Sequence, residues 1–285
     1  MLAGRRVGRI GYGTRQLVGC DRERAVTVLR RAVELGVKHI DTADFYGAGV
    51  ANERVRDALF PYQEDIALVT KVGVAYDATN GLTPAQRPEQ LRIGVEANLR
   101  RLGVEQLAVV NLRRIDTGPR LIATGDQQVD LASQLAELVA LRDEGKIGGI
   151  GLSNVNLTQL RTAIPAGIAC VQNVYNVCER VDEPILDECR QHDVAWVPFF
   201  PLGSPAIPSG VADYPAVLAM ARALDAAPSQ IGLAWLLAHD PSILLIPGTS
   251  DPRHVEENLG AGDVRLDPAN LAILDGLAHA VSAGG

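Results

Sequence analysis

The sequence predicts an α/β protein: a (β/α)8 TIM barrel in which all 285 residues form a single domain. Three observations lead there. Eight short apolar runs recur along the chain, stretches of helical period separate them, and polar residues gather where the runs end. A barrel of this kind brings those ends together at one face, covered by its βα loops. The length suits one closed barrel, and no linker or low-complexity tract divides residues 1–285.

The runs read RIGYG (9–13), VKHIDT (37–42), IALVTK (66–71), LAVVNLR (107–113), GGIGLS (148–153), IACVQN (168–173), VAWVPFF (194–200) and ILLIPGT (243–249). They are nearly continuous in Val, Ile and Leu, as parallel strands covered on both faces should be. Between them, 21–36 places Ala25, Val28, Leu29, Ala32 and Val33 on one helical face, with Asp21 to cap it and Gly36 to stop it. Pro88 to Gly103 repeats the pattern through Leu91, Val95, Leu99 and Leu102. The segment 131–145 does so through Leu131, Leu135, Leu138, Val139 and Leu141. Asp251-Pro252 and Asp267-Pro268 open two further helices, Asp accepting backbone N–H bonds and Pro forfeiting none in a first turn. The stretches 73–88 and 201–215, rich in Gly, Pro and polar residues, read as extended βα loops over the C-terminal mouth. A doubly wound sheet would carry G-x-G-x-x-G after an early strand, and Gly8, Gly11 and Gly13 lack that spacing.

Composition narrows the function classes. With 47% hydrophobic and 21% charged residues the chain has material for a sizeable core. Its 27 Lys and Arg stand against 34 Asp and Glu, a net charge of −7 with no basic run, so a nucleic-acid partner is not expected. No stretch of ~18 apolar residues suggests a membrane span, and MLAGRRVGRIGYG lacks the apolar core of a secretory signal. Cys20, Cys170, Cys178 and Cys189 are scattered, which points to a reduced cytoplasmic setting. His39, His192, His239, His254 and His279 show no metal-ligand spacing, so no metal is expected. No leftover apolar stripe implies a protein partner.

The chemistry-bearing residues sit at the run ends: Asp41, Lys71, Asn111 with Arg113, Ser153 with Asn154, and Gln172 with Asn173, plus Tyr46 in DTADFYG. A carboxylate, an ammonium, a phenol and a guanidinium facing one cavity suit proton transfer to a carbonyl oxygen. A free tyrosine is a reluctant acid at neutral pH, and a nearby ammonium stabilises the phenolate it leaves. Asp41 can hold Lys71 in a site where an unpaired ammonium would be costly. Without metal, an organic cofactor is the expected source of reducing power. The same trio also fits a structural ion pair with a satisfied phenol, and Ser153-Asn154 also fits a helix cap. Neighbouring Arg113 and Arg114 leave open which one reaches a surface carboxylate.

Over essentially its whole length the sequence resembles the aldo-keto reductase family. The resemblance lies in GYGTRQL, GVKHIDTADFYG, VTK, GLSNV, VQNVYN, the PLG of PFFPLG, and IPGTS with HVEEN, in that order. It implies an NADPH-dependent carbonyl reductase acting on a small-molecule carbonyl substrate. By position, Asp41, Tyr46 and Lys71 match three catalytic residues, Tyr46 being the proton donor. Gly13, Thr14 and Leu202 fall in matching cofactor-site stretches. Ser153, Asn154 and Gln172 match residues that hold the nicotinamide carboxamide, and Phe199 matches the aromatic that stacks on its ring. Gly248, Thr249, Ser250, His254, Glu257 and Asn258 match the adenosine-phosphate end.

Two positions depart from the family pattern. Arg113 stands where the family usually has His, and Gly248 and His254 replace the Lys and Arg that read the 2′-phosphate. The second change leaves NADH open beside NADPH. VVNLR and PFFPLG resemble a bacterial subgroup that includes pyridoxal reductases, so pyridoxal, reduced to pyridoxine, is the expected substrate. Arginine is no general acid near neutrality, but it can donate to the forming alkoxide or to the phenolic oxygen beside the pyridoxal aldehyde. Two other readings are a broad-range aldehyde reductase and a slow-turnover nucleotide-binding regulatory protein.

Overall fold

The computed structural model describes residues 1–116, 121–203 and 210–278. Seven of the eight apolar runs supply strands to one curled sheet, every neighbouring pair parallel and in chain order. These are β1 (Tyr12–Gly13), β2 (His39–Asp41), β3 (Ala67–Val72), β6 (Val109–Arg113), β7 (Ile150–Ser153), β8 (Ile168–Gln172) and β9 (Ala195–Trp196). Between β3 and the next sheet strand lies an antiparallel hairpin, β4 (Val74–Asp77) with β5 (Gly81–Pro84). The eighth run, 243–249, is not a regular strand. It nevertheless makes parallel bridges to both edges, Leu245 to Ile10 and Ile243 to Trp196. Gly11 donates its N–H to Leu245 O at 2.7 Å, and Leu244 donates to Trp196 O at 2.8 Å. Pro247 has no N–H to continue such a ladder, which accounts for its irregularity.

Ten helices cover the outside: α1 (Arg22–Glu34), α2 (Val50–Leu59), α3 (Pro88–Leu102), α4 (Leu131–Asp143), α5 (Leu157–Ala163), α6 (Glu183–Gln191), α7 (Pro215–Ala223), α8 (Pro228–His239), α9 (Pro252–Gly260) and α10 (Pro268–Asp275), counted among the described residues. The caps follow the sequence. Asp21 accepts from Arg24 N and Asp267 from Asn270 N, each at 2.8 Å, and Asp251 accepts from Arg253 N at 2.9 Å. Gly36 and Gly103 end α1 and α3 in the left-handed region, φ +92° and +73°.

The strands alternate, apart from a register shift between β7 and β8 at Ile150/Gly151. Ile40, Leu68, Val110 and Leu152 pack outward with helix residues such as Val28, Leu29 and Leu138. Val69, Val109, Cys170, Ala195, Val197, Leu244 and Ile246 form a separate inner cluster. Leu2 belongs to that inner cluster and is fully buried, carried on a tight turn in which Leu2 and Arg5 exchange backbone hydrogen bonds of 2.9 Å. The expected loop 73–88 is ordered as the β4–β5 hairpin instead. Of 201–215, residues 204–209 lie outside the described residues, as does His279; Val211–Asp213 forms a 3-10 turn leading into α7.

Candidate active site

Sheet register stacks the inward residues at the C-terminal strand ends. Lys71 pairs with Asn111 and Asn111 with Gly151; one step higher, Arg113 pairs with Ser153 and Ser153 with Gln172. Gly151 makes room for this layer, since a Cβ there would lie 2.0 Å from Asn111 Oδ1 and 2.9 Å from Cys170 Sγ.

Asp41 and Lys71 are both almost completely buried and hydrogen-bonded ion partners, Lys71 Nζ donating to Asp41 Oδ1. The ammonium also donates to Thr42 O at 3.2 Å, and Gln172 Nε2 donates to Asp41 Oδ2 at 2.7 Å. Lys71 Nζ lies 5.2 Å from the centre of the Tyr46 ring. Burial would pull the ammonium down, but the charge and hydrogen bonds of Asp41 and Tyr46 outweigh it and hold Lys71 above the ordinary lysine value. The ammonium is therefore compensated by Asp41 and turned toward the phenol.

Arg113 closes the other side, its Cζ 5.8 Å from the Phe199 ring centre. Burial lowers its pKa, Tyr46 opposes that shift and Arg15 adds to it. Arg15 itself lies with Cζ 6.0 Å from the Tyr46 ring centre. Among the described residues no carboxylate pairs with Arg113 or Arg15, whereas Arg114 is saturated by Asp116, Gln134 and Val129 O. Of the two neighbouring arginines, Arg114 serves the scaffold, while Arg113 lies over Phe199 within electrostatic reach of Tyr46.

The remaining expected positions fall in two groups. Ser153 Oγ and Gln172 Oε1 are buried with no hydrogen-bond partner among the described residues, the first a donor and acceptor, the second an acceptor, together able to receive a ligand's amide. Asn154, in the left-handed region at φ +59°, spends its amide N–H on Arg114 O at 2.8 Å. Phe199 is half-buried and edge-on to Phe200. Leu202 packs on the core and accepts Val211 N at 3.0 Å through its carbonyl.

At the far end, Gly13 and Gly248 touch by backbone. A Cβ on Gly248 would lie 2.5 Å from Gly13 O, and one on Gly13 would lie 2.6 Å from Ile246 O. Thr14 is buried with its hydroxyl on Thr42 Oγ1 at 2.9 Å. Thr249 O accepts from Tyr12, its Oγ1 faces His254 Nδ1 at 3.4 Å, and Ser250 O accepts from Arg24 at 2.5 Å. His254 is exposed, Glu257 half-buried and Asn258 buried. Sequence reasoning did not single out Arg15, Thr42 or Gln86, whose roles depend on what they meet in space.

The profile of the Aldo/keto reductase family matches residues 9–279. The chain belongs to this family, and so is an NAD(P)H-dependent oxidoreductase. Pyridoxine 4-dehydrogenase of Escherichia coli (strain K12) is 42% identical over 96% of this chain and 96% of its own. An aldo/keto reductase from Klebsiella pneumoniae, solved with NADP and acetate, superposes with a TM-score of 0.81 at 27% identity, covering 95% of this chain and 92% of that one. A further aldo-keto reductase structure from K. pneumoniae, with NADPH, gives a TM-score of 0.82 at 27% identity over 95% and 91%. No helix among the described residues is long and apolar enough to cross a membrane.

Proposed function

We propose that the chain is a cytoplasmic, single-domain (β/α)8 barrel, closed by the 243–249 segment, that reduces aldehydes with NADPH and takes pyridoxal to pyridoxine. The observation that carries the chemistry is the buried Asp41–Lys71 pair turned onto Tyr46. The cofactor, when bound, supplies a hydride to the carbonyl carbon. Tyr46 gives its hydroxyl proton to the carbonyl oxygen, and Lys71 stabilises the phenolate left behind. Asp41, held by Gln172, keeps Lys71 charged and in place. Arg113, with no carboxylate partner among the described residues, donates to the same oxygen or to an ionised oxygen beside it on the substrate.

Ser153 Oγ and Gln172 Oε1 fit a nicotinamide carboxamide, because each lacks a partner that such a group provides. Phe199 would pack on its ring, and Leu202 would line the same groove. The glycine contact between Gly13 and Gly248, with Thr14, Asn154, Thr249, Ser250, His254, Glu257 and Asn258, forms the rest of the cofactor groove. NADH is accepted too, since no lysine stands at Gly248 to favour a 2′-phosphate. The E. coli relative's name supports pyridoxal as substrate.

The test is loss of reduced-nicotinamide absorbance on a panel of aldehydes with either cofactor. Tyr46→Phe should lower kcat by roughly 100-fold or more, and parity with the parent overturns the assignment. Arg113→His should reduce turnover of pyridoxal more than that of benzaldehyde; an equal fall removes the selectivity role. Tight cofactor binding with no turnover of any aldehyde would favour a regulatory protein instead.

A further inference from the structure

Tyr46 rides on a turn with an unusual backbone. Gly47, Ala48 and Gly49 follow it with φ of +60°, +57° and +94°, three successive left-handed residues of which one carries a Cβ that disfavours that region. Such a turn needs something outside itself to hold it, and α3 supplies two grips. On the outer side, Arg101 Nη1 donates to Ala48 O at 2.6 Å and pairs with Asp44 Oδ1 at 3.1 Å. A Cβ on Gly49 would lie 1.3 Å from that same nitrogen, so the guanidinium occupies the space which glycine leaves free.

One turn earlier on the same face, Asn98 is fully buried. Its Oδ1 accepts from Asn52 Nδ2 at 2.8 Å and from Thr70 Oγ1 at 2.5 Å. Asn52 Oδ1 in turn accepts from Thr42 Oγ1 at 2.8 Å, and Thr42 O is the carbonyl that receives Lys71 Nζ. The stem of the turn is therefore tied to the ammonium's own support, while its tip is tied to Arg101.

We infer that Arg101 is a positioning residue that sets Tyr46 against Lys71, acting from an outer helix without touching substrate. This rests on the reading of Tyr46 as proton donor. Without the guanidinium the three left-handed residues relax, the phenol shifts away from the ammonium, and proton delivery slows while the cofactor groove stays intact.

The experiment uses the full chain, with functional sites counted by cofactor fluorescence titration. Arg101→Ala, and Gly49→Ala, which evicts the guanidinium, should each lower kcat for an aldehyde by about 10- to 100-fold, the scale of an ångström-sized misplacement. Cofactor Kd should stay within about twofold, and Arg101→Lys, which keeps the charge but not the planar fork, should restore part of kcat. In a Tyr46→Phe background, Arg101→Ala should cause no further loss of residual activity, because it acts through the phenol. If kcat per functional site in both Arg101→Ala and Gly49→Ala matches the parent while Tyr46→Phe is impaired, the latch is overturned and the proton donor stands. Additive losses in the double variant likewise reduce Arg101 to a structural role. Parent-like activity of Tyr46→Phe instead removes the donor itself.

Discussion

His39 lies two residues before Asp41 on the inner face of β2, fully buried, with no partner for either ring nitrogen among the described residues. Gly11 packs against it so closely that a Cβ there would come within 2.9 Å of the His39 Cβ. Burial drives its pKa from 6.5 to about 4, Asp41 pulling it up and Lys71 pushing it down. The sign follows from proton counting. Between the two values the unfolded chain binds a proton that the native imidazole refuses, so this contribution to stability is complete above 6.5 and declines toward 4. The slope is about 1.4 kcal/mol per pH unit, or about 2 kcal/mol between pH 6.5 and 5. Urea unfolding at pH 7.5 and pH 5 should show His39→Leu losing about 2 kcal/mol less than the parent; an equal loss in both refutes it. The role of a residue like this is hard to read from sequence. Asp41 and Lys71 could be identified because charged groups at the ends of apolar runs stand out, and alternation puts Arg113 on the Asn111 face. What His39, Arg15 or Arg101 meets depends on neighbours 28 or more positions away, such as Lys71 for His39, Tyr46 for Arg15 and Ala48 for Arg101.

Among the elements, those with strong local signals were legible. α1, α3, α4, α9 and α10 each combine an apolar stripe, an aspartate cap or a starting proline. α2 has a buried face of helical period, Ala51, Val55 and Ala58, but follows Gly49 with no side-chain cap, and α8 is apolar on nearly every face and so does not announce itself by period. The β4–β5 hairpin was missed although Asn80-Gly81 is a strong turn signal, with Asp77 Oδ1 accepting from Thr79 N at 2.9 Å and Asn80 N at 2.8 Å. The hairpin has a functional neighbour. Gln86, buried just after β5, donates to Gly73 O at 2.6 Å and to Arg113 O at 2.9 Å, and its own Oε1 accepts from Gln134 at 3.0 Å. One side chain thus fastens the hairpin base to the strand end that presents Arg113. Gln86→Leu leaves those groups unpaired in the interior and should cost about 2–4 kcal/mol. A loss below about 0.5 kcal/mol, the range of an ordinary surface change, would show the fastening to be idle.

For the whole molecule, the order of apolar runs predicts the parallel sheet and its sequential neighbours, but not how its edges meet. Ile10 and Trp196 both bridge the 243–249 segment, a relation between the two extremes of the chain that no local pattern encodes. The same holds at the N-terminal ends of the strands. Leu2 enters the inner cluster with Val69, Val109 and Leu244, while Ala3 Cβ lies 2.7 Å from where a Cβ on Gly149 would be. That glycine leaves room for the turn, and the turn packs into the inner face of the curled sheet at the end opposite the candidate site. Leu2→Ala should then open a cavity in the inner core at a cost of about 2–3 kcal/mol, a fall in Tm of roughly 3–5 °C for a chain this size. Because the plug and the Tyr46 turn lie at opposite ends of the strands, kcat at 25 °C should stay within roughly twofold of the parent, while Leu2→Met should restore most of the lost stability. A Leu2→Ala protein that melts with the parent would mean the inner cluster holds without its plug, and that the curled sheet alone stabilises its lower half.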